Sequence, residues 1–99
     1  MESMVSSSVG PMRWSVVVDG REHVVDVAWP GFANSIAVDG QVIQSWRWPG
    51  NNLHVVRRFE LHGIPCRLTR QRSGLLSYTF ELCVDSATAS VQRIAVSPS

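Results

Sequence analysis

Apolar and polar residues alternate with a period of two along most of this chain, in short runs broken at Asp19-Gly20, Asp39-Gly40, Pro49-Gly50, His62-Gly63 and Ser73-Gly74. Alternation of this kind puts successive side chains on opposite faces of a strand, and no stretch carries a convincing 3.6-residue helical period. The pattern predicts strands at 12–18, 21–28, 34–38, 41–48, 53–62, 64–70, 76–84 and 90–96. "DSATAS" at 85–90 holds two alanines but is too short and too rich in Ser and Thr to nucleate a helix. The expected fold is all-β: an antiparallel β-sandwich or flattened barrel of about seven or eight short strands built from hairpins.

Asp-Gly between two apolar runs favours a two-residue hairpin, in which Gly takes a positive φ without a Cβ clash. A turn at Asp19-Gly20 sets Val18 against Arg21, Val16 against His23 and Trp14 against Val25. Met12, Trp14, Val16, His23, Val25 and Val27 then share one face, and Arg13, Ser15, Val17, Glu22, Val24 and Asp26 the other. The first set reads as core and the second as mostly solvated. The same rule at Asp39-Gly40 sets Val38 against Gln41, Ala37 against Val42 and Ile36 against Ile43. Here neither face is clean, because Ala37, Val42, Trp46 and Trp48 oppose Ile36, Val38 and Ile43. Further on, Tyr78, Phe80 and Leu82 alternate with Thr79, Glu81 and Cys83. Pro65 cannot donate to a ladder, so its strand lies at an edge or starts there.

A length of 99 residues allows one domain, expected over 12–96, and 44% hydrophobic with 17% charged residues is ordinary for a globular chain. The Ser-rich residues 1–11 are expected as a disordered lead-in and 97–99 as a frayed tail. An acidic second residue and the lack of an apolar h-region speak against a signal peptide, and no apolar run has the length of a membrane span, so the expected location is cytoplasmic. Two cysteines make no disulfide framework. Cys66 shares a face with Ile64 and Leu68, Cys83 with Thr79 and Glu81, so the thiols are expected on opposite sides of the sheet and both free.

The net charge of +1 gives no overall pull toward nucleic acid or membrane, yet all nine basic residues are arginine. Six of them (47, 57, 58, 67, 70 and 72) fall between 47 and 72, where Glu60 is the one acid. Trp46 and Trp48 open this stretch from one side of their strand, with Arg47 opposite. Two readings follow. Both rings belong to the core and the arginines line a solvated face, or Trp46, Trp48, Arg57 and Arg58 form a contact surface, the tryptophans burying apolar area and the arginines forking onto carboxylates. Arginine beside aromatics also suits an anion or a single strand of nucleic acid, an alternative that the small net charge disfavours.

No catalytic constellation is legible: no Ser-His-Asp arrangement, no phosphate-binding Gly loop, no paired carboxylates. His62 and Cys66 stand four apart, but further metal ligands would have to come from His23, His54 or Cys83, with no spacing that gathers them. No metal or cofactor is expected. Asp19 and Asp39 lead the two hairpin turns, where Asp is favoured for local backbone reasons.

The order of these features resembles one module of the Fas apoptotic inhibitory molecule family. It has a Trp-led strand into Asp-Gly, a second Val-Asp-Gly about twenty residues on, and a Trp closing that ribbon. "FELHGIPCRLTR" (59–70) and "YTFELCVD" (78–85) extend the resemblance from Trp14 to Asp85. The resemblance implies a compact antiparallel sandwich without a cofactor, acting through protein contacts and not catalysis. Animal members carry two such modules and modulate death-receptor and survival signalling; this chain has room for one. The expectation is a non-enzymatic protein-interaction module with an unidentified protein partner, monomeric or a weak homodimer.

Overall fold

The computed structural model describes residues 2–7, 12–29, 33–47, 54–72 and 78–94. Nine strands lie among them: β1 (Glu2–Ser7), β2 (Met12–Val18), β3 (Arg21–Ala28), β4 (Ala33–Val38), β5 (Gln41–Arg47), β6 (His54–Leu61), β7 (Ile64–Arg72), β8 (Tyr78–Val84) and β9 (Ala89–Ile94). They form two antiparallel sheets, β1-β8-β7-β6 and β5-β4-β3-β2-β9, with no helix among the described residues. Among the described residues no helix is therefore long and apolar enough to cross a membrane. The sheets pack face to face, and the chain passes between them after β1, β5 and β8. This is the expected all-β sandwich.

The first hairpin has the register that its alternation dictates: Val18 pairs with Arg21, Val16 with His23, Trp14 with Val25 and Met12 with Val27. Its inner face is closed, with Met12, Trp14, Val16, Val25 and Val27 buried at 1% exposure or less. Ile36 and Val38 extend this face along β4, and Phe59, Leu61, Cys66, Leu68, Phe80, Leu82 and Val84 supply the opposing one. On the outer face Arg13 pairs with Asp26 at 2.6 Å and the Ser15 hydroxyl donates to Glu22 at 2.8 Å, so the solvated side is cross-linked by polar pairs.

Two expectations are corrected. Glu2–Ser7, read as a lead-in outside the fold, forms β1 and pairs with β8 from Glu2↔Val84 to Ser7↔Thr79. Its apolar residues are Met4 and Val5 alone, too few for a period to show; what places it is the ladder along the edge of β8. The second correction is in register. Val38 pairs with Gln41 and Ala37 with Val42, but Ile36 pairs with Gln44, because a β-bulge inserts one extra residue in β5. The bulge resolves the untidy ribbon. Residues before it turn outward, leaving Val42 60% and Ile43 42% exposed, while Trp46 swings to the inner side and packs on the core. Turning Trp46 inward in place of Ile43 packs the larger apolar side chain, half-buried, against the core.

Pro65 is the second residue of β7, an interior strand, and its missing donor falls opposite Asp85, one residue past the end of β8. Asp85 N–H donates to the Pro65 carbonyl at 2.9 Å, so the ladder closes with one bond there instead of two.

The packing sets a stability prediction. Trp14→Ala removes a fully buried indole and is expected to cost about 3–5 kcal/mol in urea unfolding, whereas Val42→Thr, on the exposed bulge, stays within about 0.5 kcal/mol of the parent.

Candidate functional site

β5 ends the five-stranded sheet and β6 ends the four-stranded one, on the same side of the sandwich. Three contacts join them: Asp39 to His62, the Gln44 side chain to the Arg58 carbonyl at 3.0 Å, and the Arg57 guanidinium over the Trp46 ring at 4.2 Å. Their order is reversed along the two strands, so β5 and β6 run antiparallel along a seam stitched by side chains. No backbone ladder joins them.

Neighbouring residues of a strand face opposite ways, and this divides the expected contact residues. Arg57 turns inward onto Trp46, which stands edge-on to Trp29 with ring centroids 4.7 Å apart. Trp29 continues to Phe80 at 5.7 Å, and Arg70 lies 5.0 Å from Trp29 and 4.4 Å from Tyr78. Trp46 is thus half-buried at the end of an internal row of rings and guanidinium groups, partway between the core and surface readings. Arg58 turns outward, exposed, directly across from Arg67. It borders a surface depression of about 420 Å³ whose lining includes Glu60, Arg67, Cys83 and Asp85. Trp48 lies outside the described residues. The structure therefore brings Trp46 and Arg57 together and sends Arg58 to the other face of its sheet. Sequence reasoning passed over Trp29, although it continues the inward set Val25, Val27, Trp29.

A second constellation was missed. Asp39 and His62 each occupy the first position of a two-residue turn, with φ of +51° and +50°, followed by Gly40 and Gly63 at +85° and +86°. These are the mirror-image hairpin turns that Asp-Gly favours, and His62-Gly63 is a third example of them. Closing the sandwich brings both turns to one end. There Asp39 Oδ2 accepts from His23 Nδ1 at 2.9 Å and from His62 Nε2 at 3.4 Å, while Oδ1 accepts from the Val24 N–H at 2.9 Å. The two imidazoles lie 4.6 Å apart. The His23 hydrogen bond, then the Val24 N–H, hold the Asp39 carboxyl down at about 2, against a small opposing effect of burial. Among the described residues His23, Asp39 and His62 are the one group of three that offers metal-ligand atoms close together.

The pairing of His62 with Cys66 does not form. Cys66 faces the core and donates to the Ile64 carbonyl at 3.5 Å, and burial pushes its thiol up to about 11. Cys66 and Cys83 are both free and buried, on opposite faces of the sheet as the alternation implies. Comparison with models of known protein families, with curated proteins and with solved structures finds no match.

Two measurements follow from this geometry. Asp39 has a folded pKa near 2 against an ordinary 3.8, so its stabilisation is complete above about pH 4 and is lost as pH falls toward 2. Asp39→Asn keeps a turn-forming residue but removes that titration. Its melting temperature is expected to be lower than the parent's at pH 7 and to fall less steeply between pH 4 and 2. Thiol titration of the native protein at neutral pH is expected to proceed slowly, and unfolding in denaturant without reductant to release both thiols at once.

Proposed function

We propose that this domain is a non-enzymatic protein-interaction module, as its resemblance to the Fas apoptotic inhibitory molecule family implies, and that it meets its partner along the β5–β6 seam. One observation carries the reading. The exposed large hydrophobic side chains among the described residues, Val42, Ile43 and Val56, all belong to the two strands that form this seam, and Arg47 and Arg58 are exposed beside them. Apolar side chains interleaved with arginine suit a protein contact, where aliphatic area is buried and guanidinium forks take carboxylates.

The backbone supports the same surface. Arg58 offers its carbonyl to Gln44, so Arg58, and with it Val56 and Glu60, direct their main-chain groups away from β7 toward the seam. The partner suited to this strip is an acidic protein segment, because Glu60 is the one acid among the six arginines of 47–72. A nucleic-acid platform has less to draw on: Arg57 and Arg70 are stacked on rings of the domain itself, and Arg70 is buried.

A photo-crosslinking residue at Ile43 or Val56 tests this in cells that express the chain, with a third probe at exposed Gln92 on β9. The seam probes are expected to give a shared adduct that the Gln92 probe does not, and Arg58→Glu to reduce it about tenfold or more. Equal labelling from all three positions, or an adduct indifferent to Arg58→Glu, would refute the proposal.

A further inference from the structure

The turn end of the sandwich points to a metal site. We infer that His23, Asp39 and His62 bind one divalent transition-metal ion of the zinc class, joining the two sheets. The inference does not rest on the partner surface, although the Asp39–His62 contact closes one end of the same seam.

The first support is the donor set. Two imidazole nitrogens and one carboxylate oxygen, with positions left for water, are ligands suited to zinc and its neighbours in the first transition row, and unsuited to magnesium or calcium, which take oxygen. The second is distance. The ligand atoms of the three residues all lie within 4.8 Å of one another, with His23 Nδ1 2.9 Å and His62 Nε2 3.4 Å from Asp39 Oδ2. Ligands about 2.0–2.1 Å from a tetrahedral ion are separated by about 3.3 Å, so small side-chain rotations close the set.

The third is preorganisation. The Val24 N–H fixes Asp39 Oδ1, as outer hydrogen bonds fix a ligating carboxylate, and leaves Oδ2 to point at both rings. The His23 side chain is only 17% exposed, so its rotamer is already restricted by the core margin. His62 holds a left-handed turn position that Asn would fill equally well; its ring is used on Asp39.

Both imidazoles now face a carboxylate oxygen, which only accepts, so each presents an N–H to it. On metal binding the His23 proton passes through solvent to Nε2 and the His62 proton to Nδ1. The freed lone pairs and Oδ2 then coordinate the ion, and no ligand changes charge. Asp39 and His23 belong to the five-stranded sheet and its turn, and His62 to the β6–β7 turn of the other sheet. A bound ion therefore replaces a pair of hydrogen bonds with a coordinate cross-link between sheets.

The test uses the metal-free full chain without an affinity tag. Titration with Co²⁺ is expected to give visible ligand-field bands saturating at one equivalent, and Zn²⁺ to displace the cobalt and raise the melting temperature. Asp39→Asn and His62→Asn keep Asn-Gly turns and are each expected to weaken binding about tenfold or more. In imidazole NMR spectra of the parent, His23 and His62 are expected to shift with Zn²⁺ and His54 to stay. Absence of Co²⁺ and Zn²⁺ binding at millimolar metal overturns the inference. So does undiminished binding in both variants, or a metal response confined to His54, since either places the ion elsewhere.

Discussion

Trp14 is the side chain against which the two sheets close. It sits at zero exposure on β2, a strand paired on both edges, with β3 on one side and β9 on the other. Alternation carries the consequence outward: once Trp14 faces in, Met12, Val16 and Val18 must also face in, and the ladder to β3 commits Val25 and Val27. Burial of that face against Leu61, Leu68, Leu82 and their neighbours holds the sheets in contact. This contact also brings the β6–β7 turn onto the β4–β5 turn. The polar cluster at one end is thus a product of apolar packing in the middle.

Arginine has a particular place in this packing. Each of the three described tryptophans has a guanidinium over its ring: Arg93 on Trp14 at 5.4 Å, Arg70 on Trp29 at 5.0 Å and Arg57 on Trp46 at 4.2 Å. A planar, weakly hydrated cation can lie flat against an indole where an ammonium would keep its water. Burial lowers the Arg93 pKa from its ordinary value, the mark of a charge held partly out of solvent. A chain with no lysine thus uses arginine as a cover for its aromatic rings as well as a surface charge.

The first hairpin was legible down to individual pairs, because Asp19-Gly20 fixes the register and the alternation on both sides agrees with it. The second was legible only as far as Ala37↔Val42. A bulge needs no signature residue, and the conflict between faces on 36–48 was its one trace. β1 has two apolar residues and gave no period. Arginine crowding near tryptophan marked Trp46 and Arg57 as residues for a partner, but their stacking on each other was not legible, because the inward direction of Trp46 depends on the bulge. Asp39 was read as a turn residue, which it is, with φ of +51°. Its meetings with His23 and His62 span 16 and 23 residues of sequence; the first depends on the pairing of β3 with β4, and the second exists only through the packing of one sheet on the other. No local pattern records a contact of that kind.

The extra residue in β5 works like a frame in a code of period two. Five residues, Gln41 to Ser45, separate Gly40 from Trp46; a regular ladder of that length would aim the indole outward, and the bulge returns it to the inner face opposite Asn34. Losing Ile43 would make β5 a regular ladder, with Gln44 still opposite Ile36 and Trp46 opposite Asn34. Straightening the bulge with all five residues kept would instead set Trp46 opposite exposed Ala33 and strip Arg57 of its ring. Among chains that share this architecture, five residues between the Asp-Gly turn and the tryptophan should go with a bulge and four with a regular ladder, so that spacing and bulge change together.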